Sequence, residues 1–356
     1  MATFLLVFVL TNIIFSLFLY GLLLKFDIGS CQSEFELFFY SLGLGPAFTV
    51  LLLYYSFLII PHQSNLSYIG IVFVCYLFII LIDRKISTSS RDEKINLNNF
   101  ISSVPQKVYD WFCTRHARYM LIFLFSVTIF IGMDFTNVLK HPIIGHDALV
   151  YGTMGKILFT EKSLDPIWIP DFSAKGFIYK IVTKPPSYSL LLAWENIIES
   201  IFSIKNDLYF KSVSIYYSIL ILSIQFYWLS KANTYLAMLG SLALMAGTAF
   251  FLTFLTTHLD SFRMFFIFVS WVYLAYSVKK NNLVSIVLLG IFSGLAAFIH
   301  TIGLAVAVLN CMVFFIFVND GFKARFVKSI LVTVMIILFG GSHQIFNIIW
   351  GRNWLF

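Results

Sequence analysis

Charge is what this sequence has least of. Asp, Glu, Lys and Arg make up 12% of its 356 residues, roughly half the share in an ordinary soluble domain. Met1–Leu24, Leu37–Ile60 and Leu66–Ile82 contain none of them. Uncharged apolar runs of about 17–25 residues are what a hydrocarbon core demands, and a mean hydropathy of +0.89 excludes a soluble globular fold. Cysteine is scarce too: Cys31, Cys75, Cys113 and Cys311 stand apart with no C-x-x-C spacing, which argues against a disulfide framework and a zinc site. The first run has no basic n-region and no A-x-A-like site before Lys25, so it reads as a span rather than a cleavable signal. No Gly-rich strand–helix motif for a nucleotide pyrophosphate is present. No basic run with interleaved aromatics points to nucleic acid, and no repeat or heptad is visible.

What is there is an all-α polytopic membrane protein with a few polar islands. The net charge of +7 then sets orientation and lipid contact. Three N-terminal spans are followed by the basic, Ser- and Asn-rich segment Arg84–Arg118, expected in the cytoplasm by the positive-inside rule. A span over Tyr119–Met133 leads to a polar outer loop, residues 139–186, where charges, prolines and aromatics mix. The apolar segments beyond it are Ser187–Ile204, Ser212–Ser230, Ala232–Thr257, Met264–Val278, Asn281–Asn319 and Ser329–Gly351. The fifth is long enough for two spans joined near Gly294, His300 and Gly303. Lys279-Lys280 and the Lys323/Arg325/Lys328 cluster should share the cytoplasmic face. That leaves one crossing too many, and Ser187–Ile204, which carries Glu195 and Glu199, is expected to dip in without crossing, because two carboxylates are costly in lipid. Two units result: residues 1–118, and a module 119–356 containing the loop.

Four islands could carry chemistry. Gly145-His146-Asp147 precedes Ala148–Thr160, whose small and apolar residues recur at helical spacing; it should form an amphipathic helix lying along the interface. Asp147 would start that helix, and capping alone accounts for an aspartate there; a catalytic role coexists with capping. Lys184-Pro185-Pro186 fixes an extended entry into the next helix; its lysine is suited to a lipid phosphate, and equally to ordinary interfacial snorkelling. Thr257-His258-Leu259-Asp260-Ser261-Phe262-Arg263 places ionisable groups at a membrane boundary, a functional signal by default, although an exposed Asp260–Arg263 pair is the plainer reading. His300 ends a span, where a lone histidine is commonly interfacial.

The order of these pieces resembles the GT-C glycosyltransferases, specifically the branch with protein O-mannosyltransferases and lipid A aminoarabinose transferases. His146-Asp147 stands where that family carries an acidic pair, Lys184-Pro185-Pro186 matches its K-P-P, Leu259-Asp260-Ser261-Phe262 its L-D-P-F-like motif, and His300 the place often held by lysine. The likeness covers about Tyr119 to Asn319, with each motif short. His146 replaces the commoner second carboxylate, three spans precede the family's usual first, and the family generally continues past the position of Phe356.

The resemblance implies a GT-C-like bundle of roughly 10 to 11 transmembrane helices with amphipathic helices in its outer loop. It also implies an inverting transfer of sugar from a polyprenyl-phosphate donor to a lipid, glycan or protein acceptor at the non-cytoplasmic face. Asp147 would be the general base, with His146 beside it and Asp260 orienting the sugar. Lys184, Arg263 and His300 would stabilise the departing phosphate, and Tyr151 and Tyr188 would line the substrate. A divalent metal is compatible with this scheme without being supported by it. The alternative of a different class is a polytopic lipid flippase or transporter, which calls for mid-bilayer charges, broken helices and a repeat. A non-catalytic membrane scaffold is a third.

Overall fold

The computed structural model describes residues 2–25, 34–87, 125–132, 136, 140, 146–164, 185–202, 207–247 and 259–349. They form helices and short turns, with no strand among the described residues. Low charge dictates this, because a helix satisfies every backbone N–H and C=O within one segment of lipid-exposed chain. Five helical stretches among the described residues are long and apolar enough to cross a membrane: Phe4–Leu23, Phe35–Ile59, Leu208–Ser230, Asp260–Lys280 and Phe322–Ile345.

The chain opens with α1 (Ala2–Phe8), a widened π turn (Val9–Ile14) and α2 (Phe15–Lys25). After α3 (Glu34–Ile59) and α4 (Asn65–Ser87) come α5 (His146–Glu161), α6 (Ser187–Ile201), α7 (Leu208–Ser230) and α8 (Thr234–Ala246). The remainder is α9 (Asp260–Lys280), α10 (Leu283–Ile299), α11 (Thr301–Phe317) and α12 (Phe322–Ile336), then a second π turn (Ile337–Gly341) and α13 (Ser342–Ile349).

Helix α3 packs against α2, α4, α6 and α7, and Gly43-Leu44-Gly45-Pro46 explains how. Pro46 has no N–H, so the carbonyl of Leu42 loses its helical donor. The hydroxyls of Tyr216 and Ser16 donate to it instead, at 2.8 and 3.3 Å. Neighbouring carbonyls are shared similarly: Tyr217 donates to Gly43 O at 2.8 Å and Tyr76 to Gly45 O at 3.2 Å. The glycines admit these partners. A Cβ on Gly45 would lie 2.1 Å from Ser16 Oγ, and one on Gly43 the same distance from the Phe265 ring.

Side-chain contacts sort the helix ends into two sets. At one end Lys231, after α7, pairs with Glu36 at the start of α3 at 3.3 Å. At that same end Lys328 and Asn281 hold Asp320, tying the α9–α10 turn to the α11–α12 turn at 2.6 and 2.8 Å. Lys279-Lys280 and Lys323/Arg325/Lys328 therefore share an end, as expected. The bonds from Lys328 and then Asn281 hold the Asp320 carboxyl below its usual range. At the other end the α3–α4 turn clasps α5: His62 N donates to Lys162 O at 2.9 Å and the His62 ring meets Glu161 O at 2.8 Å.

Several sequence expectations need revision. The Ala232–Thr257 span is not one helix: α8 has 13 residues and stops at Gly247, whose backbone is extended, with 248–258 outside the described residues. Helix α9 starts at Asp260, which puts Asp260 and Arg263 in its first turn, while Thr257 and His258 lie outside the described residues. The long fifth segment is two helices, as expected, but the joint is the single residue His300. Ser187–Ile204 shortens to α6, whose 15 residues reach about 22 Å at 1.5 Å each, less than a hydrocarbon core of about 30 Å. Arg84–Arg118 beyond Ser87, and Tyr119–Met133 apart from helical residues 125–132, lie outside the described residues.

Candidate functional site

Helix α6 is buried along nearly its whole length, including Glu195 and Glu199. Its tryptophan reaches the π turn of the first span, Trp194 Nε1 donating to Thr11 Oγ1 at 2.8 Å. From Tyr209 the hydroxyl reaches Asn12 Oδ1 at 3.1 Å. The widened turn is what brings Thr11 and Asn12 inward. Glu195 in turn caps α7: its two oxygens accept from Tyr209 N and Phe210 N at 2.8 and 3.1 Å. Asp207, the residue at the sequence-local cap position, makes no such bond and pairs with Lys156 of α5 at 3.5 Å.

Around α6 several helix beginnings converge. Tyr188, in its first turn, meets Tyr151 of α5 edge-on with centroids 5.6 Å apart. The same ring lies 4.6 Å from Phe210 at the start of α7 and 6.4 Å from Phe262 at the start of α9. Gly155 lets α5 approach so closely, since a Cβ there would sit 2.7 Å from Ser189 O. Asp260 opens α9, where an acid suits the positive end of the helix dipole. Arg263 Nη2 donates to Asp260 Oδ1 at 2.6 Å, and its Nη1 approaches His300 Nδ1 at 3.4 Å. His300 is the extended joint before α11, and its Nδ1 also accepts from Ile302 N at 3.1 Å. So abrupt a reversal depends on Gly303, whose Cβ position lies 1.9 Å from Ala296 O.

Asp260, Arg263 and His300 thus stand in one row. Tyr151 and Tyr188 stand together beside it, both buried and packing helix to helix. His300 Nδ1 is engaged by Ile302 N at the start of α11 and lies beside Arg263. His146 and Asp147 begin α5 one turn before Tyr151, but their side chains lie outside the described residues, as does Lys184. Pro185 and Pro186 are buried directly ahead of α6. Among the described residues no three His, Cys, Asp or Glu side chains gather as metal ligands.

The residues the sequence reading missed are Glu195, Thr11 and Asn12. A signal existed for each, namely a polar side chain inside an apolar segment.

No family model, no curated protein and no solved structure matches this chain. What the arrangement offers chemically is a carboxylate, a guanidinium and an imidazole where the starts of α5, α6, α9 and α11 are linked. Helix beginnings present unpaired N–H groups and partial positive charge, a surrounding suited to phosphate.

Proposed function

We propose that this protein is an inverting, GT-C-type glycosyltransferase that moves a sugar from a polyprenyl-phosphate carrier to an acceptor hydroxyl at the non-cytoplasmic face. The observation that carries this reading is the convergence just described. Each of the four family-like motifs stands at the start of a helix: His146-Asp147 at α5, Pro185-Pro186 at α6, Asp260 at α9 and His300 at α11. Contacts through Tyr151, Tyr188 and Phe262, and through Arg263 and His300, link those starts. In the reaction the acceptor oxygen attacks the anomeric carbon, its proton passes to the Asp147 carboxylate, and the bond to the lipid phosphate breaks. Charge growing on that phosphate is stabilised by Arg263, Lys184 and the helix starts, while Asp260 holds Arg263 in place and orients the sugar. Ser187–Ile204 enters without crossing in this topology, the basic end containing Lys231, Lys279-Lys280 and Lys328 is cytoplasmic, and the bundle has roughly 10 to 11 transmembrane helices.

Broken helices favour the flippase or transporter reading: the π turn at Val9–Ile14, the joint at His300, and the kink at Gly340 with φ 153°. One experiment separates the two. Purified protein is given a panel of polyprenyl-phosphate sugars, and release of polyprenyl phosphate is followed for the parent and Asp147→Asn. Asparagine still caps a helix, so melting should be preserved while transfer falls about 10²–10⁴-fold. Full activity in the variant overturns the base assignment. Lipid translocation with no release from any donor overturns the enzyme.

A further inference from the structure

At the basic end of the bundle two turns are locked together. Asn281, the left-handed residue that ends α9 with φ 52°, donates to Asp320 Oδ2 at 2.8 Å. Lys328 Nζ binds both partners, at 2.7 Å to Asn281 Oδ1 and 2.6 Å to Asp320 Oδ2. Arg325 folds back on the same turn, its Nε donating to Asp320 O at 2.6 Å and its Nη1 to Ile316 O at 3.2 Å. Asp320 is the only acid in the sequence after Asp260, and its charge is answered inside this knot. Lys231, at the same end, has its own acid in Glu36. Lys279, Lys280 and Lys323, all exposed, therefore bring a surplus of positive charge to the rim of the knot. The knot also sets their position, because Lys280 directly precedes Asn281 and Lys323 follows Asp320 by three residues.

Beside these lysines the surface is aromatic. Phe322, whose ring meets Phe315 edge-on at 5.9 Å, is 75% exposed, and Phe317 and Phe326 are 64% and 55% exposed. Phe322 also begins the stretch Phe322–Ile345, which is long and apolar enough to cross a membrane, so Lys323 stands where a span meets the headgroup layer. The positive-inside rule asks only that cations lie on this side. It does not ask that they be gathered on two bonded turns with bare phenylalanines among them. Cations at headgroup depth attract anionic lipid, and apolar rings at the same depth enter the acyl boundary.

We propose that this ledge is a docking surface for an anionic phospholipid of the leaflet on the basic side. The lipid phosphate lies between Lys323 and the Lys279-Lys280 pair and accepts charge-assisted hydrogen bonds from their ammonium groups. An acyl chain runs over Phe322 and Phe326. A zwitterionic headgroup brings a cation of its own to a rim that is already positive, and a soluble phosphate leaves the phenylalanines without a partner. The surface does not depend on the glycosyl-transfer reading.

The test is native mass spectrometry of the full chain released from nanodiscs of equal parts phosphatidylglycerol, phosphatidylcholine and phosphatidylethanolamine. Both leaflets have one composition there, so the orientation of the protein does not enter. The parent should retain phosphatidylglycerol several-fold over the other two. Lys279→Gln combined with Lys323→Gln should remove most of that preference, and Phe322→Ser combined with Phe326→Ser should weaken retention with the charge unchanged. Lys156→Gln, which removes an exposed cation at the opposite end, should leave the preference intact. Melting in phosphatidylcholine alone is the folding check, and should the double lysine variant melt early, the two single variants carry the test. Equal retention of the three lipids by the parent, or a preference unchanged in the lysine variants, overturns the proposal. An equal loss in Lys156→Gln overturns it too, because total charge rather than the ledge would then hold the lipid. Retention unchanged in the phenylalanine variant overturns the seat of the acyl chain.

Discussion

Glu195 caps a helix to which it does not belong, taking the amide protons of Tyr209 and Phe210 at 2.8 and 3.1 Å across the turn between α6 and α7. Replacing it with leucine leaves both N–H groups buried without an acceptor, which costs about 1–3 kcal/mol for each group. Glu195→Leu should therefore lower the melting temperature by several degrees, with Glu195→Gln intermediate because one acceptor oxygen remains. An unchanged melt for Glu195→Leu would show that α7 needs no cap.

His300 has a structural duty separable from any catalytic one. Its Nδ1 accepts from Ile302 N, and asparagine can do the same at a helix start. His300→Ala should cost about 0.5–2 kcal/mol and His300→Asn only a small part of that. If the imidazole N–H also serves the lipid phosphate, His300→Asn restores stability without restoring turnover. Equal melting of the two variants would remove the cap from the account.

Pro46 and Tyr216 form a testable couple. Tyr216→Phe removes a donor from Leu42 O and should cost about 1 kcal/mol in the parent. In Pro46→Ala the helix regains its own N–H for that carbonyl, and the same change should cost distinctly less. A double-mutant cycle on thermal melting measures the difference; additive effects would refute the exchange of donors.

Gly303→Ala should prevent the α10–α11 reversal, since its Cβ would meet backbone at Ala296 that cannot rotate away. Gly321→Ala is the control, having nothing within 4 Å of the added atom. Comparable expression and melting of the two variants would mean that the joint can open.

The Asp320 carboxyl is held low by Lys328 and Asn281. Its contribution is accordingly present above the ordinary carboxylate value of about 3.9 and fades as pH falls through the folded-state value. Melting of the parent should decline more steeply than that of Asp320→Asn as pH is lowered from 5 towards 2, measured in matched detergent.

Much of the fold was legible because scarcity of charge speaks loudly. The uncharged runs mark α1 to α4, and the Gly/His punctuation around position 300 marks the α10–α11 joint. Helix α5 was read from the period of Ala148, Tyr151, Gly152 and Gly155, the residues it presents to α6. What escaped were partnerships between distant polar residues. Nothing local says that Asn12 waits for Tyr209, or that Pro46 leaves a carbonyl for Tyr216, since hydrogen bonds across 197 and 174 positions leave no trace in spacing. Gly247 was missed because a glycine inside an apolar run looks like packing until the helix is seen to stop there. In the candidate site, Asp260 and Arg263 were legible as an i, i+3 pair, whereas the contact of Arg263 with His300, 37 positions away, leaves no mark in the spacing.

The pairing of Glu36 with Lys231 also bears on how the chain is made. The two are 195 positions apart, and at about 5–20 residues per second the acid leaves the ribosome some 10 to 40 s before Lys231 does. The first three helices are therefore made well before the contact that ties the start of α3 to the end of α7 can form. A nascent chain stopped before Lys231 should be extractable and sensitive to protease, and one carried past it resistant.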